Sequence, residues 1–132
     1  MIGERIGHVG LVVQDMRRSV QFYERLGLRV ERTMVFPGRD ITIMCLDRPS
    51  DAKLELLRYE QTDLAQRVPD DRTRLGLRHL AIHVADIKSA FAALITDGVV
   101  MLPDPPFQQA NGPAIAFGMD PDGVLLEFTE ID

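Results

Sequence analysis

Two histidines and two glutamates stand where a soluble chain rarely places them, inside short runs of branched aliphatic residues. His8 lies in GHVGLVVQD (Gly7–Asp15) and His79 in RHLAIHVAD (Arg78–Asp86). Glu55 lies in KLELLR (Lys53–Arg58) and Glu127 in VLLEFTE (Val124–Glu130). A lone carboxylate among aliphatics is costly to bury unless it is paired, protonated or bound to a cation. Two carboxylates with two imidazoles suit one divalent ion, and nitrogen and oxygen donors without thiolates favour Zn, Ni, Co, Mn or Fe over a structural cysteine site. The competing reading makes each histidine a hydrogen-bonded core residue. It also puts Glu55 on a wet sheet face with Lys53 and Leu57.

The spacing favours the metal. His8, Asp15 and Gly27 recur as His79, Asp86 and Gly98, each 71 residues later (79 − 8, 86 − 15, 98 − 27). Each glutamate follows its histidine at nearly one interval, 55 − 8 = 47 and 127 − 79 = 48. A period this long reads as a duplicated module rather than a solenoid array.

The elements that must position these residues follow from local signals. Ile6–Val13 alternates as a strand, with His8, Gly10 and Val12 on one face. Asp15 is a helix N-cap and Gly27 suits the left-handed position past the helix end. Strands are expected at Leu28–Val35, Ile41–Leu46 and Lys53–Arg58, with a turn at Phe36–Asp40. Tyr59–Arg74 reads as a polar linker with a short helix near Thr62–Arg67. The second copy gives a strand at Leu77–Val84, a helix over Ile87–Thr96 capped by Asp86, and a short strand at Val99–Leu102. PDPPFQQANGP (Pro103–Pro113) reads as loop, followed by a strand at Ala114–Met119, a tight turn at Asp120–Gly123 and a strand at Val124–Glu130. The expected class is α+β, two tandem βαβββ modules over residues 5–58 and 76–131 joined by a linker at 59–75.

Composition bounds the rest. The 132 residues suit one domain built of two halves, and a net charge of −5 without a basic stripe argues against nucleic acid. The single cysteine, Cys45, permits no intrachain disulfide. With no signal-peptide pattern and no apolar run of membrane-spanning length, a cytoplasmic protein without a membrane partner is expected.

GHVGLVVQDMRRSVQFYERLGL, the paired His and Glu strands, and DPDGVLLEFTE together resemble the vicinal oxygen chelate superfamily over nearly the whole chain. That group includes glyoxalase I, methylmalonyl-CoA epimerase, extradiol dioxygenases, fosfomycin-resistance enzymes and bleomycin-binding proteins. The resemblance implies sheets curled into a cup, a partly open β-barrel, around a divalent metal, usually in a homodimer. Carried over, the ligands are His8, Glu55, His79 and Glu127, the glyoxalase I pattern at all four places; the epimerase usually has Gln where Glu55 stands. The implied chemistry is lyase or isomerase: proton transfer next to a carbonyl, with Glu127, or Glu55 from the opposite side, as the base.

The substrate is less well matched. Bacterial glyoxalase I proteins tend to carry an Arg where this chain has Val12 and an Asn where it has Tyr59, both polar anchors for glutathione. Strand parity makes Gly10, Val12, Leu57, Ala81 and His83 candidate pocket residues. Arg39, Phe107 and Gln108–Asn111 are candidates from loops, while Met44, Phe107 and Met119 also read as core or cup wall. His83 shares a face with His79 and is either a rim histidine or a proton-transfer group. An extradiol-type dioxygenase using His8, His79 and Glu127, and a metal-free drug-binding resistance protein, stay open as alternatives.

Overall fold

The computed structural model describes residues 2–3, 5–46, 52–62, 75–102, 106–108 and 112–130. The chain divides into two compact units, Met1–Ala65 and Gln66–Asp132. The class is α+β: each unit has one helix and one mixed sheet, and among the described residues neither sheet closes into a barrel.

The first unit runs β1 (His8–Val12), α1 (Met16–Arg25), β2 (Leu28–Phe36), β3 (Arg39–Leu46) and β4 (Lys53–Tyr59), in sheet order β1-β4-β3-β2. The Asp15 side chain accepts from the Arg18 amide at 2.9 Å, filling one of the orphan donors of the first turn of α1. Gly27, at φ +91°, takes the left-handed position past its end. The helix packs Ser19, Phe22 and Tyr23 inward. Leu54, Leu56 and Met44 are buried as well, and they share the sheet face opposite Glu55. Met44 is therefore core. Burying one face of β4 this way fixes the other: Glu55 must point to the side that carries His8 and Gly10.

The second unit runs β5 (Leu80–Val84), α2 (Ile87–Thr96), β6 (Val100–Met101), β7 (Phe107–Gln108), β8 (Ala114–Met119) and β9 (Leu125–Glu130). Its sheet order is β5-β9-β8-β6, with β7 also on β8. Asp86 caps α2 by accepting from the Ser89 amide at 2.7 Å, and Gly98 lies at φ +77°. Ile87 and Leu94 of α2 are buried, as are Leu126 and Phe128 of β9. The Asp120–Gly123 turn is closed by the Asp120 carboxylate, which accepts from the amides of Asp122 at 2.9 Å and Val124 at 2.8 Å. That turn sets the β8–β9 register and so places Glu127 opposite Phe117.

Several expectations need correction. Arg39 is not a loop residue; the turn is confined to Pro37–Gly38, and Arg39 opens β3 opposite Phe36 and Tyr59. Phe107 and Gln108 are not loop either but form β7 against Ile115 and Ala114. β6 and β7 together take the place that β2 fills in the first unit. Pro103, Pro105 and Pro106 stand in the sequence between them, and proline has no N–H for a ladder. The second module is thus βα followed by four strand segments. The expected helix near Thr62–Arg67 and the segment Gln109–Asn111 lie outside the described residues, apart from Thr62 itself. No helix among the described residues is long and apolar enough to cross a membrane.

Candidate metal centre

In each unit the first and last strands are parallel neighbours, which brings the histidine of one beside the glutamate of the other. β1 and β4 pair with Gly10 opposite Glu55 and Val12 opposite Leu57. His8 Nε2 lies 3.3 Å from Glu55 Oε2. β5 and β9 pair with Ala81 opposite Glu127 and His83 opposite Thr129, and His79 Nε2 lies 3.4 Å from Glu127 Oε2. His79 precedes the first residue of β5 rather than sitting inside the strand.

Both carboxylates are largely covered, with side chains 19% and 18% exposed, while His8 is 60% and His79 30% exposed. The His79 ring also meets Phe117 edge-on, centroids 6.1 Å apart. The face that Glu55 shares with Lys53 and Leu57 is only partly wet: Lys53 is exposed, whereas the Glu55 side chain is 19% exposed. Its neighbour Lys53 is engaged instead by Glu31, which stands at a bulge in β2 and accepts from Nζ at 2.6 and 2.8 Å.

The pair geometry fits a metal. Two donor atoms each about 2.1 Å from one ion stand about 3.0 Å apart at a right angle and about 3.4 Å apart at the tetrahedral angle. Imidazole nitrogen with carboxylate oxygen is also the donor chemistry of borderline divalent ions. Each unit by itself presents two such donors. Among the described residues no group of three or more His, Cys, Asp or Glu side chains is gathered to hold an ion.

The other candidates fall as follows. Val12 is half exposed and shares the face of His8 and Glu55 with Leu57 and Gly10. A Cβ on Gly10 would sit 3.2 Å from Leu57 Cδ1, a tight approach, and 3.8 Å from Glu55 Oε2, an ordinary contact. In the second unit Ala81 and His83 are exposed on the face of Glu127. Arg39 lies over the Phe36 ring at 5.1 Å, and Phe107 is 45% exposed. The sequence reading missed Thr129. It is 6% exposed, and its hydroxyl has no hydrogen-bond partner among the described residues. Burying an unsatisfied hydroxyl costs about 1–3 kcal/mol. Its signal was legible as the residue two beyond Glu127, on the same face of the strand.

Fold and pairs together define a duplicated βα module with a His–Glu pair in each copy. The chain belongs to the Glyoxalase/Bleomycin resistance protein/Dioxygenase superfamily, matching it over residues 5–128. It is 33% identical to a lactoylglutathione lyase of Haemophilus influenzae, over 96% of this chain and 92% of that one. Among solved structures it is similar to a glyoxalase family protein from Enterococcus faecalis, at 30% identity and TM-score 0.79, covering 98% of this chain and 100% of that one. The trypanothione-dependent glyoxalase I of Leishmania major is similar at 26% identity and TM-score 0.73, over 97% of this chain and 87% of that one. These similarities support a glyoxalase-like or related function.

Proposed function

We propose that this protein is a divalent-metal-dependent lyase or isomerase of the glyoxalase I type, which moves a proton on the carbon next to a carbonyl. The observation that carries the reading is the His–Glu pair repeated on matching strands, with donor atoms 3.3 and 3.4 Å apart. His8, Glu55, His79 and Glu127 would hold the ion, furnished by one chain or by two chains of a homodimer. When bound, a Ni, Zn, Co, Mn or Fe ion supplies Lewis acidity that stabilises negative charge on a substrate oxygen.

Glu127 is the base that takes the proton and returns it, and Glu55 is its counterpart in the first module. Val12 and Leu57 give the first unit's face an apolar character, which favours a small carbonyl adduct other than that of glutathione.

Metal analysis tests this directly. Protein loaded with Ni or Zn and then dialysed should retain metal, and Glu55→Ala and His79→Ala should each lose it while staying folded by circular dichroism. A parent that dialyses empty ends the reading and leaves a metal-free binder. A parent that isolates with ferrous iron and cleaves catechols is a dioxygenase instead. With metal retained, turnover of methylglyoxal hemithioacetals of different thiols identifies the arm.

A further inference from the structure

The duplicated modules differ at one matched pair of positions. Val12 and Leu57 stand opposite each other across β1–β4, one pair beyond Gly10 and Glu55. At the same place across β5–β9, one pair beyond Ala81 and Glu127, stand His83 and Thr129 (83 − 12 = 71, 129 − 57 = 72). The fold therefore does not demand polar groups here, since the first module fills the position with two aliphatic side chains. In the second module one of the two polar groups is a buried hydroxyl with nothing to bond among the described residues. Buried polar groups are rarely left so, and a specific one calls for a partner.

His83 is the neighbour able to supply or relay that partner. Strand neighbours lie about 4.8 Å apart, within reach of an imidazole turning towards a hydroxyl on the same face. His83 is exposed and so free to turn. A neutral imidazole accepts at one nitrogen and donates at the other, so a Thr hydroxyl donating to one nitrogen fixes the proton on the far one. With Glu127 one pair along the same face, a second carboxylate would be repelled, and an uncharged acceptor is favoured.

We propose that His83 and Thr129 form a polar subsite for a carbonyl oxygen on the substrate's arm. The Thr129 hydroxyl donates to one ring nitrogen of His83 and the other ring N–H donates to the ligand. This rests on the proposed function for the reacting end of the substrate, but the subsite itself does not use the metal. His83 contacts the ligand, and Thr129 is a positioning residue.

The test pairs two substrates and one spectrum. Methylglyoxal hemithioacetals of N-acetylcysteamine, which carries an amide carbonyl, and of ethanethiol, which does not, are compared on metal-loaded protein. The parent should prefer the first by about three- to tenfold in kcat/KM, the worth of one hydrogen bond to a neutral acceptor. His83→Leu and Thr129→Val should erase the preference through KM, and Thr129→Ser should keep it. The second readout is the histidine ring ¹⁵N spectrum on addition of S-lactoyl-N-acetylcysteamine. His83 should move to a single tautomer in the parent and in Thr129→Ser, and not in Thr129→Val. A preference that survives in His83→Leu, or a His83 ring that ignores the ligand in the parent, overturns the subsite. If neither adduct turns over while the ring responds, the proposed function fails and the subsite stands.

Discussion

The two modules build the same His–Glu pair on differently finished sheets. In the first, β2 is a continuous nine-residue edge bulged at Glu31; in the second, the same edge is split into β6 and β7, two residues each. Yet the pair distances differ by only 0.1 Å (3.4 − 3.3). The pair depends on the two parallel strands β1–β4 or β5–β9 and on the helix that buries the opposite sheet face, and the outer edge is free to diverge. The packing of the histidines does diverge. Phe117 stands opposite Glu127 and meets the His79 ring, whereas Ile43 holds the corresponding place opposite Glu55. His8 is accordingly twice as exposed as His79.

The largest effect should come from asking whether the two carboxylates are equivalent. Glu127→Gln keeps the shape and removes the base, and should lower kcat by roughly 10²- to 10⁴-fold, the usual worth of a positioned proton-transfer group. Glu55→Gln should retain more activity if its part is mainly to hold the ion. Equal losses with metal still bound would make the two modules equal partners in proton transfer and end the assignment of Glu127 as the principal base.

A second comparison concerns the cores. Leu54 and Leu126 are matched residues next to the glutamates, 4% and 0% exposed, on the sheet faces opposite them. Truncation of each to Ala should cost about 2–5 kcal/mol, with the fully buried Leu126 at the upper end, read by urea unfolding. A single transition shifted by both variants means the modules unfold together. Two transitions, each moved by one variant, mean the units are independent in stability as well as in sheet structure.

How much of this was legible in the sequence follows the strength of the local signals. Helix limits were plain because Asp15 and Asp86 are caps and Gly27 and Gly98 are stops, each acting within a turn of chain. The face of Glu55 could be inferred only from its pairing with His8, since alternation alone put it beside Lys53 in solvent. What settled Lys53 was Glu31, a residue 22 positions away that the bulge brings within 2.6 Å, and no short-range pattern announces such a contact. Prolines made Pro103–Pro113 read as loop, although strand pairing resumes at Phe107. Thr129 went unnoticed because an unsatisfied hydroxyl is a property of its neighbours rather than of its own residue type.

Gly10 and Ala81 are matched positions opposite the two glutamates, and exchanging them gives a smaller effect. A Cβ on Gly10 meets Leu57 Cδ1 at 3.2 Å, the far end of a side chain that has other rotamers, and stays 3.8 Å from Glu55 Oε2. Gly10→Ala should therefore fold with a change within about 1 kcal/mol. Its metal affinity should fall no more than a few-fold if Leu57 yields. Loss of metal comparable with Glu55→Ala would show that Leu57 cannot move and that the glycine is required for the ligand.

The smallest effect is the pH dependence of the Asp86 helix cap. Asp86 has its carboxyl held below the ordinary aspartate value, first by its hydrogen bonds with Ser89 and less by nearby Lys88. A group lowered on folding gives its full stabilisation above the unfolded value, and loses it as pH falls through the lowered folded value. The contribution of Asp86 is thus complete at neutral pH and disappears only in the acid range. Asp86→Asn keeps a side-chain acceptor at the N-cap, so the melting temperature at pH 7 should change little, while its fall on acidification should become shallower. Asp86→Ala should lower the melting temperature at pH 7 and approach the parent at low pH, where the parent carboxyl is protonated. Parallel curves for parent and Asp86→Asn down to the acid limit would mean the charge of Asp86 contributes nothing, leaving only the hydrogen bond to Ser89 in the cap.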